Sequence, residues 1–125
     1  MPIEDMVQVS EALGKVTIIT RASSKIVIDD PNKTLCLHDI NGNKIEMGPD
    51  GITITSIKDL TFVTAGNLQL QATGNVTTAA RADVVHTGLN INQTAQVSYV
   101  AKGNASAELS AAGTTTVKGA MVMIN

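Results

Sequence analysis

The chain has 125 residues and a formal net charge of -2; 43% of its residues are hydrophobic but only 2% aromatic. With one Phe, one Tyr and no Trp, it lacks the aromatic anchors of ordinary ligand pockets and interfaces, so a thin aliphatic core is expected. The slight negative charge excludes the clustered cationic grip that nucleic acid requires, and the lone Cys36 excludes an internal disulfide.

In chain order, residues 1–14 are acidic, with Val7 and Val9 alternating and Glu11-Ala12-Leu13 stopped by Gly14; a strand or ragged arm is expected. The start, Met1-Pro2-Ile3-Glu4-Asp5, has neither the basic region nor the apolar stretch of a secretory signal. From Lys15 onward Val16 and Ile18, then Ile26 and Ile28, alternate with polar residues across a break at residues 21–25. Asp29-Asp30-Pro31-Asn32 predicts a turn, because proline fixes its own φ and restricts Asp30 before it. Leu35 and Leu37 form the next alternating pair, and Asn41-Gly42 favours a reversal into Ile45 and Met47. Pro49-Asp50-Gly51 then makes a corner.

Beyond that corner the chain repeats every eight residues. Apolar pairs two apart stand at Ile52 and Ile54, Leu60 and Phe62, Leu68 and Leu70, then more weakly at Val76 with Thr78 and Val84 with His86. The beat slips, three residues short of a full repeat, near residues 82–88. It resumes at Leu89 and Ile91, Val97 and Tyr99, Ala105 and Ala107. Turn residues recur between the pairs at Asp50-Gly51, Gly66-Asn67, Gly74-Asn75 and Gly103-Asn104. Alternation over two positions marks a strand, and a fixed-period strand and corner marks a solenoid whose coils bury their apolar faces only against neighbours. Residues 60–80 carry no charge, but their Thr, Gln, Asn and Gly content excludes a membrane span.

A single chain could wind three octads into one coil of a β-helix. It would then have few coils, and no reason to keep its three sides alike. A threefold homotrimer makes every side equivalent and lets intertwined chains share one aliphatic core. The fold class expected is therefore all-β: an intertwined triple-stranded β-helix, a homotrimeric β-solenoid rod with an irregular β N-terminal region. Residues 1–44 would form a collar or junction and residues 45–125 the β-helix, with residues 113–125 its blunt tip. Each chain must climb over three strands per turn, about 14 Å, so residues 45–125 would span roughly 45 to 50 Å.

Three segments resemble the C-terminal needle of contractile injection machines, namely the central spike of contractile-tailed phages and the valine-glycine repeat (VgrG) spike of type VI secretion. Thr20-Arg21-Ala22-Ser23-Ser24-Lys25-Ile26-Val27-Ile28-Asp29-Asp30 is similar to the stretch by which those spikes leave their oligonucleotide/oligosaccharide-binding barrel. Residues 37–47, followed by Gly51-Ile52-Thr53-Ile54, resemble the entry into the needle, and residues 115–125 its blunt end. The resemblance implies a homotrimeric, non-enzymatic structural spike pushed through a target cell envelope when a sheath contracts. Its partners would be two further copies of itself, baseplate, hub or tube proteins at the N-terminal end, and a proline-alanine-alanine-arginine (PAAR) repeat protein at the tip. The docking platform for that protein would be Val117, Lys118, Gly119, Ala120, Met121, Val122, Met123, Ile124 and Asn125. Synthesis in the cytoplasm and incorporation into a virion baseplate or injection apparatus follow from the same likeness. The His-x-His iron site of self-sharpening family members has no match here, so a self-made metal tip is not expected, and the cofactor expectation is none apart from a possible axial ion.

His86 falls in the inward series if the octad phase holds, and three symmetry copies could then meet around an axial metal or anion. The plainer alternative is a solvated or locally bonded side chain beside the slip. His38 and Asp39 are strand neighbours that leave on opposite faces, so they do not form an acid-base pair. Asp39, Asn41, Asn43 and Asp50 partly mimic a calcium loop, but Lys44 stands where that loop needs Gly, so a hairpin is expected. Cys36, opposite in facing to Leu35 and Leu37, is expected at a surface or interface. Two alternatives remain: a trimeric β-helical fibre or adhesin shaft, and a single-chain β-helix acting on polysaccharide. The second lacks the carboxylate and aromatic groove such chemistry uses.

Overall fold

The computed structural model describes residues 7–125, with β1 described as backbone only. Six strands follow in order: β1 (Val7–Ala12), β2 (Lys15–Thr20), β3 (Lys25–Asp29), β4 (Thr34–His38), β5 (Lys44–Gly48) and β6 (Gly51–Thr55). They form one sheet in sequence order, every neighbouring pair antiparallel. The described residues are thus all-β, as composition and alternation predict. The first six residues of the expected N-terminal arm lie outside them, and the rest of that arm forms β1 and its turn.

Each reversal has a local cause. Leu13 and Gly14 both take positive φ, 52° and 82°, which suits a two-residue hairpin whose twist matches the flanking strands. The loop from β2 to β3 closes through the Ser23 amide donating to the Thr20 carbonyl at 2.9 Å and the Thr20 amide to the Ser24 carbonyl at 2.9 Å. The predicted Asp29 to Asn32 turn is present: the Asn32 amide and side chain donate to the Asp29 carboxylate at 3.2 and 2.9 Å. The Lys33 amide donates to the Asp30 carbonyl at 3.0 Å. Pro49 and Asp50 link β5 to β6, with Gly48 opposite Gly51. The boundary expected at residue 44 falls at the first residue of β5, and the meander continues to Thr55.

Register sorts the side chains into two faces. One row across the strands is Val16, Ile28, Leu35, Met47 and Ile52; the next is Ile18, Ile26, Leu37, Ile45 and Ile54. Residues directly opposite share a face, so both rows lie on the same side. The other face carries Thr17, Val27, Cys36, Glu46 and Thr53 in one row, and Ile19, Lys25, His38, Lys44 and Thr55 in another. Cys36 is half-buried on that second face. Ten aliphatic side chains therefore form one apolar face, yet among the described residues no hydrophobic side chain is buried. Only Asp29 is, at 7% exposure.

The chain divides into two compact units, Met1–Leu70 and Gln71–Asn125. In the first, residues 56–70 leave the sheet and bend at residues 57–58 and 65–66. In the second, bends recur at residues 73–74, 81–82, 89, 96–97, 104–105, 112–113 and 120–121, with neither helix nor paired strand between them. The octad is therefore a real backbone period, and its phase corrects the reading from sequence. Apolar residues two positions after each bend run Leu60, Leu68, Val76, Val84, Ile91, Tyr99 and Ala107, so the short step is 84 to 91, one residue less than a repeat and not three. Leu89 and Val97 stand at bends, 99% and 98% exposed, whereas Ile91 and Tyr99 are 56% and 63% exposed. The expected pairs Leu89 with Ile91, Val97 with Tyr99 and Ala105 with Ala107 thus each take a corner residue as their first member.

Candidate functional site

The first unit holds a groove of about 570 Å³ over the apolar face, floored by Ile18, Ile26, Leu37, Ile45 and Ile54 with Leu60 at its side. Polar residues that contribute to its lining include Thr20, Ser24, Ser56 and Asp59, with atoms of Lys25, His38 and Lys44, whose rows belong to the other face. Lys44 pairs with Glu46 at 2.9 Å. That bond and the lysine's charge hold the Glu46 carboxyl below the usual range. Lys15 approaches Asp29 at 3.9 Å, and Asp29 is likewise held low, chiefly by its hydrogen bonds from Asn32.

The loop after β4 is organised by Asp39. Its Oδ1 accepts from the Asn41 and Asn43 amides at 2.8 and 2.9 Å, and its Oδ2 from the Asn43 side-chain amide at 2.7 Å. These bonds, that from Asn43 foremost, lower the Asp39 pKa. The hairpin expected here is present, with these bonds closing the loop between β4 and β5. Asn43 turns its other end outward: its Oδ1 accepts from the Ile57 amide at 3.0 Å. Gly42, at φ 97°, leaves room for the same residue, since a Cβ there would stand 3.3 Å from Ile57 Cγ2. One side chain thus ties the β4–β5 loop to the point where the chain leaves the sheet.

Along the octads, charge and polarity follow the corrected phase. Asp59, Asp83, Lys102, Glu108 and Lys118 all fall at odd offsets after their bends, alternate to the apolar series. The positions four after each bend read Phe62, Leu70, Thr78, His86, Gln93, Ala101, Leu109 and Val117. His86 therefore occupies in its octad the place that Phe62 and Leu70 hold in theirs, and it is exposed in the single chain. Across the next corner but one, the Tyr99 hydroxyl donates to Gln93 Oε1 at 2.6 Å. Sequence spacing alone does not bring Thr78, His86 and Gln93 into one run, because a slip placed before Leu89 takes Gln93 out of the series.

The expected docking platform starts at Val117, four positions after the bend at residues 112–113, and continues through Lys118 and Gly119 to a bend at Ala120 and Met121. Val122, Met123, Ile124 and Asn125 follow outside any helix or strand, all exposed. A Cβ on Gly119 would lie 3.2 Å from the Met121 carbonyl oxygen, so the corner folds closely over that glycine. Among the described residues, no three His, Cys, Asp or Glu side chains of one chain cluster as metal ligands, and no helix is long and apolar enough to cross a membrane.

No protein-family model matches the chain, and comparison with curated proteins gives no match.

Proposed function

We propose that this chain is one strand of a homotrimeric, triple-stranded β-helix serving as the piercing spike of a contractile injection machine, with residues 117–125 as the platform for a PAAR-type tip protein. The observation that carries the reading is an eight-residue backbone beat whose apolar positions remain uncovered: among the described residues no hydrophobic side chain is buried. A folded chain gains roughly 1.5 to 3 kcal/mol from fully burying each large aliphatic side chain, and without such burial nothing offsets the entropy of ordering it. Leu60, Leu68, Val76, Val84 and Ile91 must therefore find cover outside their own chain. Identical copies supply it with matching spacing, because every octad meets another of the same length.

The placement of charge supports the same reading. Every Asp, Glu and Lys between residues 59 and 118 falls at an offset alternate to the apolar series, so an axis lined by that series excludes charge. Within the proposed platform Met121, Met123 and Ile124 are all exposed, apolar surface that suits contact with a protein cap.

The test is direct binding to a PAAR-repeat protein in solution. The full chain is expected to form a stable complex, and a variant lacking residues 117–125 is expected to lose it while keeping its oligomeric mass. Failure of the full chain to bind any PAAR-type protein offered would overturn the spike assignment.

A further inference from the structure

The column of residues four after each bend is apolar at both ends and polar in the middle. In chain order Phe62 and Leu70 precede, Leu109 and Val117 follow, and Thr78, His86 and Gln93 stand between. The polar stretch coincides with the single short octad, and Gln93 Oε1 already accepts from the Tyr99 hydroxyl at 2.6 Å. A polar group placed in an apolar line costs stability unless it is satisfied, so an unassigned function is the natural reading of three in succession.

We propose that His86 from three copies forms a metal site on the shared axis, taking a divalent transition-metal ion of the zinc class. This rests on the trimer reading given above. Threefold symmetry places the three His86 side chains at one level, and three imidazole nitrogens are a known zinc donor set that leaves the fourth position open for water. Thr78 and Gln93, one octad to either side, supply a hydroxyl and an amide that can hydrogen-bond such a water or the free ring nitrogens, which orients metal-bound imidazoles. Tyr99 fixes the Gln93 carbonyl end by its hydroxyl. Because the donors come from three chains, the site exists only in the assembly. It would act as an internal staple, joining the chains midway along the octads.

The chain contains one other histidine, His38, on the sheet, which serves as an internal control. The experiment is calorimetric titration of the chelator-treated full chain with zinc, with cobalt as a spectroscopic probe, each sample's mass taken by sedimentation. The expected result is one ion per three chains, a cobalt spectrum of low-symmetry nitrogen coordination, and loss of both in His86→Gln but not in His38→Gln. A trimer that binds no zinc, binds one ion per chain, or binds equally well as His86→Gln would overturn the site while leaving the trimer intact. A chain that sediments as a monomer would overturn the trimer reading and the site together. Should His86→Gln fail to assemble, the unaltered trimer still decides through its stoichiometry and cobalt spectrum.

Discussion

At the scale of single residues, Asp39 and Asn43 do the most for the least bulk. The Asp39 carboxylate gathers the loop amides, and Asn43 passes that order on to the Ile57 amide. Replacing Asn43 by Ala removes the acceptor for Ile57 and the donor to Asp39. The loss of the Ile57 bond alone is expected to cost about 1 kcal/mol, read as a lower urea midpoint with an unchanged slope. Acid should act on the same unit. The carboxyls of Asp29, Asp39 and Glu46 are all held below their ordinary values in the folded chain, by Asn32, Asn43 and Lys44 respectively. A depressed carboxyl binds its proton more weakly when folded, so its contribution is full above the unfolded-state pKa, about 4, and is lost as pH falls through the folded values. Thermal midpoints should therefore hold steady from neutrality to about pH 5 and fall below pH 4. A midpoint that rises on acidification would contradict the hydrogen-bond account of these three groups.

At the scale of elements, the sheet was readable from alternation alone. Val16, Ile18, Ile26, Ile28, Leu35, Leu37, Ile45 and Met47 all stand on one face in the register the alternation implies. What misled was the octad phase after His86. Corners in the chain are marked by Gly66 and Gly74 when the residue at the bend is glycine, but at 89 and 97 the bend residues are Leu and Val. An apolar corner two positions before an apolar strand residue imitates a strand pair, and sequence spacing cannot tell the two apart. The backbone does, by where it turns. The polar run through Thr78, His86 and Gln93 became visible only with that correction. The docking platform at residues 117–125 is read from the likeness of those residues to a needle's blunt end. In the proposed trimer the corrected phase predicts a contrast between neighbours: Ile91→Ala should destabilise the assembly by about 2 to 5 kcal/mol, as a large-to-small change where the sister chains would pack. Leu89→Ala, at a corner, should stay within about 0.5 kcal/mol. Equal effects, or the reverse order, measured by denaturant unfolding, would restore the earlier phase.

At the scale of the whole molecule, the decisive property is what covers the uncovered. Ten aliphatics on one sheet face and an octad series of Leu, Val and Ile stand without any of them buried among the described residues, and in the proposed trimer the sister chains cover them. Chains wound through one another cannot separate without unfolding, so such an assembly would be protected kinetically as well as thermodynamically. Sedimentation equilibrium of the full chain across a wide range of concentration tests this most directly. The account predicts a single species of three times 13.0 kDa that does not dissociate on dilution; a folded species of 13.0 kDa would contradict it.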